Sequence, residues 1–239
     1  MKAVVLAAGL GTRLRPLTDG LPKCMLPVAG RPLLASILEL LRRHGTDEVF
    51  INLHWYPDAI REHFGDGSPY GLKLHYLEED ELSGTAGPLL KLAAELGDGR
   101  FLVLNGDNLT DLNLRELVEF HVLSEAELTV ALHKEDPADL PGKSVVQTAA
   151  DGRVLRFLEK PKAGEVFSDW SSAGVYVVEP SVIGEIPAGV TYDFGHDLIP
   201  ALVSANRNVY GFKADFYLLD IGTQQAYARA EQDVMAGRV

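Results

Sequence analysis

Apolar and polar positions alternate along the first half of the chain with two distinct periods. Val4-Val5-Leu6 is a short continuous apolar run, which reads as a buried strand. Leu33 to Arg43 places apolar residues at 33, 34, 37, 38, 40 and 41, a helical spacing that ends in Arg42, Arg43 and His44 and stops at Gly45. Val49–Leu53, Lys73–Leu77 and Phe101–Leu104 read as further strands. Helices are predicted over 57–64, opened by Pro57, over 88–96, with proline in the first turn and Gly97 beyond the end, and over about 113–123. Regular alternation of this kind predicts a mostly parallel sheet with helices on both faces.

The second half is richer in strands, at about 128–133, 144–149, 154–159, 174–178 and 209–219, with helical patterns at about 196–205 and 223–236. No Pro- or Ser-rich linker and no internal repeat interrupts it. The expected fold is therefore one α/β domain over 1–239. It is Rossmann-like and three-layered (α/β/α), with a mixed, mostly parallel central sheet. The first half covers about 1–125, and a strand-rich half over about 126–239 adds a substrate lobe.

Composition narrows the class. Hydrophobic residues make up 46% of the 239 and charged residues 23%, so a disordered chain is excluded. The run Ala3–Ala8 is too short for a membrane span of ~20 residues, and the N-terminus lacks a secretory pattern. The single cysteine, Cys24, cannot form an internal disulfide, so the expectation is a cytoplasmic protein. The net charge of −12 argues against nucleic acid as a partner. Residues 1–43 nevertheless hold seven basic groups against two acidic ones, a net of +5, leaving −17 for the rest. A basic segment beside a glycine loop points to a small anionic ligand.

That loop is Leu6-Ala7-Ala8-Gly9-Leu10-Gly11-Thr12-Arg13-Leu14-Arg15-Pro16-Leu17-Thr18, continuing to Pro22-Lys23. Small residues after a strand let backbone N–H groups approach a phosphate or base. Arg13 can fork onto phosphate oxygens, and Lys23 adds a point charge. A dinucleotide fingerprint would need a third glycine where Leu14 stands and an acid near residue 30, and a P-loop would need Gly-Lys-Ser/Thr. All three are missing.

Gly9-x-Gly11-Thr12-Arg13-Leu14-x-Pro16-x-Thr18 with Pro22-Lys23 resembles the signature of the sugar-1-phosphate nucleotidyltransferases. Further segments resemble that family's motifs in order: Ser83-Gly84-Thr85-Ala86-Gly87, Leu104-Asn105-Gly106-Asp107, Phe157-Leu158-Glu159-Lys160-Pro161, Ala173-Gly174-Val175-Tyr176 and Asp220-Ile221-Gly222-Thr223. The resemblance implies transfer of a nucleotidyl group from an NTP to a sugar 1-phosphate with Mg²⁺ as cofactor. It places Asp107 and Asp220 on the metal, with Arg13 and Lys23 on the NTP phosphates as catalytic residues alongside Asp107. Leu6, Ala7, Ala8, Gly9, Gly11, Thr12, Gly84 and Thr85 would complete the nucleotide site. Asn105, Glu159, Lys160 and Gly174 would take the sugar phosphate, and the resemblance makes the half over about 1–125 the nucleotide-binding one and the strand-rich half over about 126–239 the sugar-binding lobe. The short form looks most like mannose-1-phosphate guanylyltransferases and their heptose or glucose relatives, and is compatible with a homo-oligomer.

Two other classes stay open at this level. A GT-A glycosyltransferase would carry an Asp-x-Asp motif, which Asp107-Asn108-Leu109 does not match. A silent regulatory homologue would not need Arg13, Lys23, Asp107, Lys160 and Asp220 together. Ser172 and Ser144 depart from the Asn and Gly of many members. The end at Val239, without a hexapeptide-repeat extension, implies no acetyltransferase activity and no trimerisation through such repeats. Pro161 predicts an extended Lys160. Cys24 is expected to be a small packed residue rather than an activated thiol, and His54, Trp55 and Tyr56 to be packing or surface residues.

Overall fold

The computed structural model describes the backbone of all 239 residues and every side chain except that of Ala163. In chain order the regular elements begin with β1 (Lys2–Leu6), β2 (Pro27–Val28), β3 (Arg31–Pro32), α1 (Leu33–Arg43), β4 (Glu48–Leu53), α2 (Pro57–Phe64) and β5 (Lys73–Glu78). Next come α3 (Gly87–Lys91), α4 (Ala93–Leu96), β6 (Phe101–Asn105), β7 (Asn108–Thr110), α5 (Leu114–Leu123), β8 (Leu128–Lys134), β9 (Ser144–Thr148), β10 (Val154–Glu159) and β11 (Trp170–Val178). The chain ends with α6 (Ile199–Ser204), β12 (Val209–Lys213), β13 (Leu218–Asp220) and α7 (Gln224–Met235).

The chain forms two compact bodies. The first gathers Met1–Leu82, Leu104–Leu114 and Phe216–Val239, and the second Ser83–Val103 and Arg115–Asp215. In the first body the hydrogen-bonded strand order includes β1-β4-β5 and in the second β12-β8-β11, and the chain passes from the second body back to the first within β6. The sheet is mixed and mostly parallel, as the alternation predicts: β1, β4 and β5 run parallel, β8 pairs parallel with β12, and β11 runs antiparallel to β8.

In the first body α1 buries Leu33, Leu34, Ile37, Leu38, Leu40 and Leu41 and contacts β7. Its end is fixed where the sequence places the stop. His44 Nδ1 bonds the Leu40 carbonyl at 2.9 Å, and Gly45 takes a φ of 84° that favours glycine. β13 pairs antiparallel with the three-residue β7, and α7 is capped by Thr223, whose hydroxyl accepts from the Ala226 N–H. In the second body β9 and β10 form an antiparallel ribbon across the Asp151-Gly152 turn.

Three elements differ from the sequence reading. The helix expected over 88–96 is two short pieces that meet at Leu92, with φ −96° and ψ 5°. The strand expected over 209–219 is β12 and β13, with Ala214–Tyr217 between them. The helix expected from 196 opens as a wide π turn over Phe194–Leu198. Among the described residues, no helix is long and apolar enough to cross a membrane.

Candidate active site

The glycine loop leaves the end of β1 under tight constraint. The ladder between β1 and β4 ends at Leu6 opposite Asn52. There the side chain of Asn52 takes over from the backbone: the Ala7 N–H donates to Asn52 Oδ1 at 2.7 Å. On the same strand end, the Gly106 N–H donates to the Leu6 carbonyl at 2.9 Å. A Cβ on Gly106 would stand 2.8 Å from that carbonyl oxygen, so this close approach requires glycine.

Past Ala8 the loop turns through Gly11, at φ 61°, into a single 3₁₀ turn over Thr12–Leu14. Leu14, standing where a dinucleotide loop has glycine, is fully buried and anchors the turn. Thr18 Oγ1 donates to the Gly11 carbonyl at 2.8 Å, Trp55 Nε1 donates to the Thr18 carbonyl at 3.1 Å, and the Tyr56 hydroxyl donates to the Asp19 carbonyl at 2.8 Å. Trp55 and Tyr56 therefore fasten the loop, a role that sequence reasoning missed. Asn52 and Glu79 were missed too, because no local pattern marks a contact 45 residues away. Gly9 lies exposed, with nothing within 4 Å of where its Cβ would be.

The same body brings together Lys23, Asp107 and Asp220. Lys23 Nζ lies 2.7 Å from Asp107 Oδ2 and 2.8 Å from Asp220 Oδ1. Asp107 follows β6 and Asp220 ends β13, so both carboxylates are presented at strand ends, as the apolar runs before them predict. Burial works to lower the Lys23 pKa, but Asp107 and Asp220 more than reverse it and hold the ammonium above its ordinary range. Burial pushes the Asp107 carboxyl up, and the like charge of Asp220 adds to this against the pull of Lys23. Lys23 thus balances two carboxylates here instead of presenting an unpartnered charge. Two aspartates converging on one cationic group also form a hard-oxygen donor pair, which suits a divalent cation that completes its shell with phosphate oxygens. Among the described residues no cluster of three or more His, Cys, Asp or Glu forms a metal cage.

Arg13 is exposed beside this group. Its Nη2 and Asp220 Oδ1 each lie 3.0 Å from the point where Gly222 would carry a Cβ, which puts the Arg13 guanidinium and the Asp220 carboxylate both beside Gly222. Cys24 is buried, and burial pushes its thiol up to about 12, in keeping with a packed residue. Asn105 is half-buried at the end of β6, and Thr12 is exposed.

The second body holds the remaining residues singled out in the sequence. Its Ser83–Gly87 loop is laid along Tyr192–Phe194. The Ala86 N–H donates to the Tyr192 carbonyl and the Tyr192 N–H to the Ser83 carbonyl, both at 2.9 Å. Thr85 donates through its N–H and its hydroxyl to Asp193 Oδ1 at 2.9 and 3.0 Å. Gly84 has φ 84° and would place a Cβ 2.4 Å from the Tyr192 oxygen, so both conformation and space exclude a larger residue.

Glu159, the last residue of β10, occupies the space that Gly195 leaves open: a Cβ there would meet Glu159 Oε2 at 2.5 Å. Burial raises the Glu159 carboxyl, against the pull of His196 and Lys160. Lys160 corrects the sequence reading. It is not extended before Pro161 but has φ 50°, and its N–H donates to the Lys143 carbonyl at 2.6 Å. Residues held in such backbone conformations concentrate at functional sites.

Gly174 is more than an ordinary strand glycine. It has φ 66° within the irregularity of β11 between Ser172 and Tyr176. The two departures from the family pattern meet here: the Ser172 N–H donates to Ser144 Oγ at 2.8 Å, and Ser172 Oγ accepts from the Gly174 N–H at 3.2 Å. Tyr176 stacks on Phe194 with ring centroids 4.4 Å apart.

Comparison with known proteins places this geometry among relatives. The family model described as "Nucleotidyl transferase" matches residues 2–237. A UTP–glucose-1-phosphate uridylyltransferase of Synechocystis is 37% identical over an alignment that covers 100% of this chain and 64% of that protein. A mannose-1-phosphate guanylyltransferase of Mycobacterium tuberculosis is 36% identical, with 98% of this chain and 65% of that protein covered. The chain thus spans just under two thirds of the length of these curated relatives. Among solved structures, HddC from Yersinia pseudotuberculosis superposes with a TM-score of 0.82 at 24% identity, covering 98% of this chain and 99% of that one. A UDP-glucose pyrophosphorylase complexed with UDP-glucose gives 0.84 at 19% identity, with 99% of each covered. At these identities the structural likeness speaks for the fold.

Proposed function

Because this chain belongs to the nucleotidyl transferase family, we propose that it catalyses transfer of a nucleotidyl group from an NTP to a sugar 1-phosphate. A phosphate oxygen of the sugar 1-phosphate forms a bond to the α-phosphorus, the bond from that phosphorus to the bridging oxygen breaks, and pyrophosphate leaves with the electron pair. The reaction needs no covalent enzyme intermediate, so the protein's work is to position anions and neutralise charge. The observation that carries this reading is the convergence of Lys23, Asp107 and Asp220 in the body that also holds the glycine loop.

The backbone from Leu6 to Gly9 and the turn at Gly11–Thr12 approach the nucleotide. Arg13 grips the β- and γ-phosphates, and Lys23 supplies positive charge at the α-phosphate, where negative charge builds up. Asp107 and Asp220 hold Mg²⁺, which when bound neutralises phosphate charge. In the second body Gly84 and Thr85 are assigned to the base and Lys160 to the sugar phosphate; in the first, Asn105 is assigned to the sugar phosphate. Glu159 accepts hydrogen bonds from sugar hydroxyls, and Gly174 leaves space for the ring.

We take GTP and mannose 1-phosphate as the first substrate pair, because the short motif form looks most like the guanylyltransferases and the relative from M. tuberculosis bears that name. UTP and glucose 1-phosphate form the second reading, favoured by the 37% identical Synechocystis relative. Pyrophosphate release with Mg²⁺ across a grid of NTPs and sugar 1-phosphates tests both. One preferred pair names the product. NTP binding with no turnover on any pair would replace the enzyme by a ligand-binding homologue, and no NTP binding would overturn the reading of the glycine loop.

A further inference from the structure

We propose that Glu79 is a positioning residue for the glycine loop, acting through Asn52. The inference rests on the nucleotide-binding reading of that loop. Glu79 lies one residue beyond β5 and is 2% exposed, and Asn52 is 3% exposed. Glu79 Oε2 accepts from Asn52 Nδ2 at 2.8 Å, and Asn52 Oδ1 accepts from the Ala7 N–H at 2.7 Å. The backbone of Glu79 is itself fixed: its N–H donates to the Leu53 carbonyl at 2.9 Å, and its carbonyl is 2.7 Å from His54 Nδ1.

The order of donors along this relay has one solution. The Ala7 N–H only donates, so Asn52 must turn its carbonyl oxygen toward it, which leaves the NH₂ end to donate to the Glu79 carboxyl. With the amide reversed, NH₂ would meet N–H and oxygen would meet oxygen. Two buried hydrogen bonds would be lost at once. A buried carboxylate is costly unless it is hydrogen-bonded. Here one holds the amide of the side chain that accepts from the Ala7 N–H, at the point where the β1–β4 ladder ends.

The peptide on the other side of that point carries the second half of the site. The Leu6 carbonyl accepts from Gly106, the residue before Asp107. Ala7 and Leu6 are thus held by Asn52 and Gly106 respectively, so a shift of the strand end would displace both the loop leading to Gly9 and the approach to Asp107. Glu79 and Asn52 touch neither phosphate nor metal in this assignment. They set the backbone that does.

The test exchanges donor and acceptor. Asn52→Asp sets two carboxylates against each other and should weaken binding of Mg·GTP and Mg·UTP about tenfold or more, while the KM for sugar 1-phosphate stays within about twofold. Glu79→Gln, whose carbonyl oxygen still accepts, should stay within about threefold of wild type. The double variant Asn52→Asp with Glu79→Gln rebuilds the relay in reverse, with glutamine donating to aspartate and aspartate accepting from Ala7. It should recover most of the lost affinity and restore protection of the Ala7 amide from hydrogen exchange. Unchanged NTP affinity in folded Asn52→Asp, or no recovery in a folded double variant, would overturn the proposal. So would parallel loss of NTP affinity, sugar-phosphate KM and melting temperature, which marks a purely structural pair. If wild type binds neither nucleotide, the reading of the loop fails first, before any variant is compared, and the proposal falls with it.

Discussion

Gly9→Ala separates binding from folding within the glycine loop. Position 9 is exposed, its φ is outside the left-handed region, and an added Cβ would meet no atom within 4 Å. The methyl therefore introduces neither clash nor strain in the unliganded protein. Restricting the unfolded chain could even add about 0.4–1 kcal/mol. For a chain of this size 1 kcal/mol moves the melting temperature by about 2–4 °C, so the variant should melt no lower than wild type. If a nucleotide lies against the backbone at Gly9, the same methyl occupies the ligand's space. A loss of about 1.4 kcal/mol or more, tenfold in Kd, should follow. Differential scanning calorimetry and isothermal titration with NTP read the two quantities in the same samples. Gly84→Ala is the contrasting control. Its Cβ would lie 2.4 Å from the Tyr192 oxygen at φ 84°, so the Ser83–Gly87 loop must lift and surrender hydrogen bonds worth about 1 kcal/mol each. That variant should melt several degrees lower before any ligand is added. Unchanged NTP affinity in Gly9→Ala would refute the open face above Gly9 as a nucleotide platform.

Asp107→Asn should leave the protein folded, since Lys23 keeps Asp220 as a partner, and should cut pyrophosphate release by about a thousandfold or more; full activity would sink the metal assignment. Lys160→Ala should raise the KM for sugar 1-phosphate about tenfold and spare the NTP Kd, whereas collapse of NTP binding would mean that the two phosphate positions have been exchanged. His121 is fully buried, with Thr129 Oγ1 at 2.8 Å and Glu179 Oε1 at 3.3 Å, and burial lowers its pKa below 6.5 despite the pull of Glu179. The folded state therefore favours the neutral ring, so the contribution is complete above pH 6.5 and is lost as the pH falls through the lowered folded value. Melting temperatures measured from about pH 7.5 to 5 should fall less steeply in His121→Gln than in wild type.

What could be read from sequence was local and periodic. The apolar stripe of α1 and the run in β4 declare themselves within a dozen residues. The break at Leu92 does not, because Pro88-Leu89-Leu90-Lys91-Leu92-Ala93-Ala94 keeps helical spacing through it with no glycine or proline at the junction. The separation of β13 from β12 is not legible either, because the partner of β13, β7, is only three residues long and lies far away in sequence. The motif residues were legible as types, but their fastenings were not. Thr85 finds Asp193 across 108 residues, and Ala7 finds Asn52 across 45. Lys160 shows a tertiary contact prevailing over a local rule: the bond to Lys143 accompanies a backbone conformation that Pro161 alone disfavours.

The threading of the first body carries a consequence for biosynthesis. Its three segments, Met1–Leu82, Leu104–Leu114 and Phe216–Val239, are separated by stretches of the second. Lys23 is made first, and its two partners stand 84 and 197 positions further on. At about 5–20 residues per second, the nascent lysine waits roughly 10–40 s for Asp220. Until then an ammonium that ends 10% exposed has at most one carboxylate to meet it. Premature termination anywhere before β13 therefore yields a product that cannot assemble the Lys23–Asp107–Asp220 group, however well its earlier helices form.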